Sequence, residues 1–526
     1  MYEVLIQGAT VYDGTGNPGR VADVGVEGGY IVAVGVLDTA GAREVIDARG
    51  LVLMPGFIDT HCHEDVYLLH NRQHVMSLSQ GVTTLITGPD GLSYAPLSRH
   101  NLVDYSRYLQ GLNGPLDEGL ADFTTVAGYL KKFDRTGPNA CVQVPHGALR
   151  LETVGFHDVP LRGYFLDRAK DLMRQGFAEG AVGFSTGLSY YPCSYADTEE
   201  LVELCKVAAE WDAPFSIHLR TVYRGERFDP VAEAIEIARR SGCRLHFSHY
   251  RTGPHNVGQV EAVCAPIEAA LAEGIRVTVE MYPFHTGSGY GVYFMPPWAV
   301  EGGWQAACDR LHHAASRQQI IDWMRAHMRF ADDDTFTHLP RNPQYIGRGF
   351  GVVARERGQD IPQMLCELLA EENLEVGYRG GDIDDPALHE ALHRDFAKLL
   401  SKPYYMVGSD GIACHAFPHP RAYGAFAKFL RIARENGLPW ETFANRTSYL
   451  PAKTFGLKDR GEIAPGKLAD IVVLDGATAR ENATFANPIQ LPTGIEYVLV
   501  NGKVALRGGR VNGVLAGHGV AYSRER

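Results

Sequence analysis

Apolar and polar residues alternate at strand period through the first fifty positions. Residues 4–12 (VLIQGATVY) read as a strand, residues 22–29 run into a Gly-Gly hairpin turn, and Tyr30–Gly35 supplies another strand. The far end has the same texture: 469–475 is a strand, and 495–504 is a strand entering the Asn501-Gly502 turn. Two β-rich ends around a different middle predict one small β-sandwich built from both termini, residues 1–54 and 455–526.

The middle changes period. Asp197 N-caps a helix that runs to about Trp211, with Glu200 at the capping-box position. A buried strand at 214–219 follows, then a helix at 230–240, a strand at 244–249, a helix at 257–273 and a strand at 277–282. Strands alternating with helices of this length are the mark of βαβ units around a parallel sheet. Periodicity alone leaves a doubly wound sheet open, but the length of 55–454 favours an α/β fold of the (β/α)8 TIM-barrel type. Residues 289–347, with Phe294-Met295-Pro296-Pro297-Trp298, break the rhythm and read as an insertion over the barrel mouth.

Composition narrows the partners. The chain has 526 residues, 45% hydrophobic and 21% charged, the balance of a globular protein with a large core. A net charge of -12 argues against a nucleic-acid partner, which needs clustered Lys and Arg. No basic leader precedes an apolar run, and no uncharged apolar stretch reaches membrane length, so neither secretion nor membrane insertion is expected. Nine Cys without a CxxC pair suggest reduced thiols and a cytoplasmic home. A homo-oligomer fits the sequence as well as a monomer does.

The densest local signal is Pro55-Gly56-Phe57-Ile58-Asp59-Thr60-His61-Cys62-His63, after the apolar run 51–54. Residues two apart on a strand share a face, so His61 and His63 can serve one metal while Cys62 points the other way into packing. A bare HxH is common by chance. Here His218 and His249 also end expected barrel strands, and so does Asp410, where barrel active sites are built. His246, three residues before His249, is expected in the core.

These residues, with HGALR at 146–150, GFSTGLSYYP at 183–192, SIHLR at 216–220, HFSHY at 246–250, MYP at 281–283, GSDG at 408–411 and HPRAYG at 419–424, resemble the amidohydrolase superfamily and, within it, the D-aminoacylase family. GVTT at 81–84 and the return GLKDRGEIAPGKLADIVVLD at 456–475 extend the likeness over nearly the whole chain. The resemblance implies a distorted barrel with a β-sandwich, His61 and His63 on one metal, His218 and His249 on another, and Asp410 touching metal and moving the proton. It also implies that Tyr190, Tyr282, Ser288 and Arg421 face a carboxylate-bearing small-molecule amide.

One departure stands out. The family carries a Cys just after GVTT as the ligand shared between metals, and here the place reads Gly88-Pro89-Asp90-Gly91. Asp90 is the candidate bridge, since a carboxylate has two oxygens for hard or borderline cations; a weakened or empty second site is the alternative. The expected cofactor is one or two Zn ions or another divalent metal, which lowers the pKa of its water from about 15.7 toward ~7. The expected reaction is hydrolysis of an N-acyl-D-amino acid or related amide by that hydroxide, with Asp410 as general base and then acid. Rivals are a cyclic-amide hydrolase of hydantoinase or dihydroorotase type, a hydrolase of a specialised peptide-like amide, and a non-catalytic relative.

Overall fold

The computed structural model describes residues 1–117, 119, 121, 123–220 and 228–522, so the last four positions of the expected C-terminal β segment lie outside it. Both termini build one nine-stranded sheet. Val52–Pro55 pairs antiparallel with Ile471–Leu474, joining the two ends of the chain, and Ile495–Val500 continues through Asn501-Gly502 into Lys503–Arg507. Val4, Ile6, Val24, Val26 and Ile31 share one apolar cluster with Ile471, Val473 and Leu499, so the sheet encloses its own core.

The middle forms a ring of parallel strands. In chain order these are β1 (Phe57–Cys62), β2 (Val82–Thr87), β3 (Asn139–Val142, resumed at Val144–Pro145), β4 (Phe184–Gly187), β5 (Pro214–His218), β6 (Arg244–Phe247), β7 (Val277–Met281) and β8 (Tyr405–Val407). The first half of β3 pairs with β2 and its second half with β4, so the split strand links two sheets. The ring closes where Asp410 N donates to His61 O (2.7 Å) and His63 N donates to Gly411 O (2.9 Å). The expected barrel is therefore present, closed through the two motifs that carry the candidate chemistry.

Strand parity separates two environments. Phe215, Ile217, Leu245, Phe247, Val277, Val279 and Met281 join the main core beneath the surrounding helices. The alternate positions turn inward: Ser216 Oγ donates to Gln143 Oε1 (2.6 Å) and His246 Nδ1 meets Thr278 Oγ1 (2.9 Å). The His246 ring packs 5.4 Å from Phe455, so it is buried as expected. Ile58, Ile86, Cys141, Val182 and Met406 gather with Phe455 into a separate apolar cluster, beneath the polar layer.

Helix α1 (Thr198–Glu210) begins as expected, with Asp197 accepting from Glu200 N (2.9 Å). The Glu200 side chain does not complete a capping box. It is fully buried and accepts from Arg150 Nη1 (2.7 and 2.8 Å) and Leu161 N (2.7 Å), and meets His146 Nε2 (2.9 Å). A buried guanidinium outcompetes a single backbone N–H, because charge-assisted bonds are the stronger ones. HGALR thus serves to anchor the loop after β3 to α1.

Between β7 and β8 the chain builds a three-stranded antiparallel sheet from Ser288–Tyr290, Gly377–Arg379 and Thr335–His338. The segment expected as an insertion at about 289–347 supplies most of two of these strands, and the central one comes from beyond it. Helix α2 (Pro386–Ser401) then leads into β8. No helix among the described residues is long and apolar enough to cross a membrane.

The sandwich is fastened to the barrel by a buried carboxylate. Asp470 Oδ2 accepts from Arg460 Nη1 (2.6 Å) and from Asn139 Nδ2 on β3 (3.2 Å), while Oδ1 accepts from Asn501 N (2.7 Å). Both ion-pair partners are almost wholly buried. Removing one leaves the other charge stranded, a loss of about 3–5 kcal/mol. Arg460→Met is therefore expected to lower the thermal unfolding midpoint markedly, and an unchanged melting curve would show that the buried pair does not stabilise this junction.

Candidate metal centre

Every residue singled out for metal chemistry converges at the carboxyl ends of the strands. One atom sits at the middle: Asp90 Oδ2 lies 3.7 Å from His61 Nε2, 3.6 Å from His63 Nε2, 3.6 Å from His218 Nδ1 and 3.9 Å from His249 Nε2. Asp410 Oδ1 stands 3.5 and 3.6 Å from the Nε2 atoms of His61 and His63. His218 Nδ1 and His249 Nε2 are 3.0 Å apart.

These spacings decide between a hydrogen-bond cluster and a metal site. Nitrogen and oxygen sharing a proton lie about 2.7–3.2 Å apart. Two ligands on one tetrahedral cation with bonds of about 2.0–2.1 Å lie roughly 3.3–3.4 Å apart. The carboxylate–imidazole separations of 3.5–3.9 Å are too long for the first and close to the second, while the 3.0 Å between His218 and His249 is a hydrogen-bond length. His61 Nε2 and Asp90 Oδ1 are also buried without a hydrogen-bond partner among the described residues. The donor set fits one cation held by His61, His63, Asp90 and Asp410 and another held by His218, His249 and Asp90. Imidazole and carboxylate donors suit zinc and its neighbours.

Backbone geometry brings the donors inward. Asp90, His249 and Asp410 each lie just past a strand end with positive φ (57°, 38° and 51°). Left-handed backbone at a residue with a Cβ costs on the order of 1–3 kcal/mol and persists where surrounding contacts fix it. Here they do. Ser185 Oγ accepts from Gly91 N (3.2 Å) and donates to Gly88 O (2.5 Å), holding the turn that carries Asp90. Asp59 Oδ1 accepts from Ser409 N (2.8 Å) and His61 N (3.2 Å), tying the HxH strand to the segment before Asp410. Burial pushes the Asp59 carboxyl up to about 7 against these bonds.

Glu280 on β7 was not singled out from the sequence. Its Oε1 meets His61 Nδ1 (2.7 Å) and accepts from His249 N (2.9 Å); its Oε2 accepts from Thr60 Oγ1 (3.0 Å). One carboxylate therefore orients a histidine from each proposed metal set. Burial works against the charged form of His61, but Glu280, Asp90 and Asp410 outweigh it and raise the imidazole to about 10. His218 goes the other way: burial holds it down to about 4, a neutral donor. A Cβ at Gly408 would collide with Glu280 Oε2, which explains the glycine of GSDG. A carboxylate inside an otherwise apolar strand was the available signal for Glu280.

The residues expected to face substrate lie around one flank. His61, His63 and Asp90 are sealed, while the side chains of His218, His249 and Asp410 keep 14%, 18% and 10% exposure, so solvent reaches the cluster from their side. The Tyr190 ring lies 4.7 Å from His218, and the Tyr282 ring lies 4.6 Å from the Arg421 guanidinium. Arg421 Nη1 stands 2.9 Å from Asp410 Oδ2 and Nη2 donates to Ser288 O (3.3 Å). Arg421 Nε and Ser288 Oγ are buried without a hydrogen-bond partner among the described residues. Cys62 is buried in the main core and directs its Sγ toward Ile86 O, 3.9 Å away, not toward the donors.

With this geometry in place, the comparisons with known proteins decide the family. The amidohydrolase family model matches residues 44–150 and 216–506. D-aminoacylase of Alcaligenes xylosoxydans xylosoxydans is 33% identical, covering 95% of this chain and 94% of that protein. The chain belongs to the amidohydrolases, in the D-aminoacylase family. An N-acyl-D-aspartate deacylase from the same organism is 32% identical over 97% of this chain and 93% of its own length. The solved N-acyl-D-glutamate deacylase of Bordetella bronchiseptica, complexed with zinc and a phosphonate mimic of the tetrahedral intermediate, superposes with a TM-score of 0.82 at 30% identity, covering 99% of this chain and all of that one. This amidohydrolase is an enzyme, not a non-catalytic relative.

Because Glu280 fixes His61 from behind, its loss is expected to loosen the metal rather than unfold the barrel. Outer partners of this kind are worth about 10–100-fold in affinity. Glu280→Gln should weaken metal binding by that factor in a competitive chelator titration, and an unchanged affinity would remove Glu280 from the account.

Proposed function

We propose that this amidohydrolase cleaves the amide of an N-acyl-D-amino acid to a carboxylate and a free amino acid, using one or two zinc ions held by His61, His63, Asp90, His218, His249 and Asp410. The observation that carries the reading is the double reach of Asp410. Its Oδ1 faces the His61–His63 pair at 3.5 and 3.6 Å, and its Oδ2 faces Arg421 at 2.9 Å. In an N-acyl-amino acid the scissile nitrogen and the carboxylate share one Cα. A site for that substrate needs its proton-handling group within one side chain's width of its carboxylate-binding group, and Asp410 and Arg421 meet that demand.

A divalent cation held by these residues would polarise the amide carbonyl and make hydroxide available near neutral pH. Asp410 takes the proton of the attacking water and delivers it to the departing amine nitrogen, general base and then general acid. Arg421, stacked on Tyr282 and short of acceptors, binds the α-carboxylate through its planar donor edge, with Ser288 Oγ beside it. Binding the substrate carboxylate competes with Asp410 for the same guanidinium, which frees Asp410 for the proton as the substrate arrives. Tyr190 walls the cluster on the His218 side.

The deacylases compared above take different side chains. Here Tyr190 lies 6.0 Å from both Tyr290 and Tyr293, so the wall beside His218 is aromatic. That favours an apolar side chain over the second carboxylate of aspartate or glutamate. A cyclic substrate has less support: a D-hydantoinase of Thermus shares the fold at 16% identity and a TM-score of 0.55, which speaks to the fold alone. Nine cysteines, all free and eight of them buried, support a reducing, cytoplasmic setting.

A panel of N-acetyl-D- and N-acetyl-L-amino acids, scored by amine release, tests the reading. The D-leucine and D-phenylalanine derivatives should be hydrolysed faster than those of D-aspartate, with the L-series inert. Asp410→Asn should lower kcat by about 10²–10⁴-fold, the usual worth of a positioned acid–base group. Turnover of dihydroorotate or hydantoins in preference to the open-chain amides would replace the proposal.

A further inference from the structure

The loop leaving β7 carries His285 between Tyr282 and Ser288. On that loop His285 meets two residues that the proposed hydrolysis does not use. Asp382 Oδ1 lies 3.8 Å from His285 Nε2 and 3.5 Å from His389 Nε2. The two imidazole rings stand 5.2 Å apart and nearly perpendicular, at 78°. One donor atom from each of the three residues falls within 4.8 Å of the others. These separations repeat those of the catalytic cluster, too long for shared protons and suited to ligands converging on one cation.

Three separate segments supply the donors: the loop after β7, the turn before α2, and the first turn of α2. Burial holds His285 down to about 4, so its ring is neutral at physiological pH. Of the nearby charges, His389 and Lys428 disfavour the protonated ring while Asp382 favours it. Lys428 is itself nearly buried, stacked 4.0 Å over the Phe284 ring and lowered by burial to about 8.

His389-Glu390-Ala391-Leu392-His393 spells the H-E-x-x-H pattern, which on a helix can present two histidines to zinc with the glutamate as base. The geometry here is different. The Glu390 side chain is 76% exposed, 3.9 Å from Arg394, and the His393 ring stands 6.2 Å from His389. Asp382 and His285 take the places that the motif would give to His393 and a distant ligand. A second hydrolytic centre is therefore not what this arrangement makes.

We propose that His285, Asp382 and His389 bind a divalent transition-metal ion as a structural clamp, tying the loop after β7 to the stretch that leads into α2 and to α2 itself. Without the ion, His285 Nε2 faces Gly381 O (3.2 Å) and His389 Nε2 faces Ile383 O (2.7 Å). Binding moves each imidazole proton to Nδ1 and exchanges these hydrogen bonds for bonds to the cation. Two imidazoles and a carboxylate select the zinc, cobalt and nickel group over magnesium or calcium. The clamp is distinct from the catalytic donors and does not rest on the substrate assignment.

Equilibrium dialysis of the full chain against Co2+, with metal counted per chain and the visible cobalt spectrum recorded, tests the clamp. Asp382 is half exposed, so Asp382→Asn disturbs little of the fold, and His389→Gln probes the same site from another segment. Each variant should bind one Co2+ fewer than the wild type and lose the same spectral component. Asp90→Ala should retain that component while losing cobalt from the catalytic cluster, so the two sites fail separately. Equal cobalt content and identical spectra in wild type, Asp382→Asn and His389→Gln would overturn the proposal.

Discussion

A carboxylate oxygen buried among four imidazoles is an expensive arrangement, and the structure around Asp90 exists to keep it. Asp90 Oδ2 lies within 3.9 Å of donor nitrogens from His61, His63, His218 and His249. A buried carboxylate and an unpartnered His61 Nε2 are costly in a dry interior, and a shared cation would satisfy both. The neighbouring features follow from that demand. Ser185 clamps the turn bearing Asp90, Glu280 orients His61 and the His249 backbone, and Asp59 ties the HxH strand to the segment of Asp410. Three donors accept left-handed backbone so that their side chains reach the centre.

The same constraint links chemistry to the fold's closure. The hydrogen bonds that complete the barrel run between His61 and Asp410 and between His63 and Gly411, so ligands and ring seam are one feature. The metal set and the carboxylate-binding set also meet in one residue. Asp410 faces the histidine pair with one oxygen and Arg421 with the other, which in the proposed reaction would place proton transfer and substrate recognition side by side. In place of the bridging sulfur that the sequence resemblance implies, Asp90 sets a carboxylate oxygen within 3.9 Å of all four imidazoles, the position the proposed bridge needs.

Much of this was legible from residue pattern. Alternation located the terminal strands, and the βαβ rhythm located β5, β6 and β7 to within a residue or two. The HxH pair, His218, His249 and Asp410 announced themselves because each sits at or just past the end of a barrel strand. What stayed hidden depends on contacts distant in sequence. Glu280 lies some 220 residues from His61, and only the closed ring brings them together. Glu200 looked like a helix cap because a local rule fitted it, yet Arg150 and His146 claim its side chain. The central strand at Gly377–Arg379 is three residues long, too short to show a period, and is set by pairing with two neighbours.

Anomalous diffraction at the zinc edge, on crystals of the zinc-loaded protein, tests the central claim most directly. The account predicts a peak within about 2.0–2.2 Å of an Asp90 carboxylate oxygen, with histidine nitrogens completing the shell and no sulfur bonded. A zinc ion held by the histidines with Asp90 beyond bonding distance, or with a cysteine sulfur at about 2.3 Å, would contradict it.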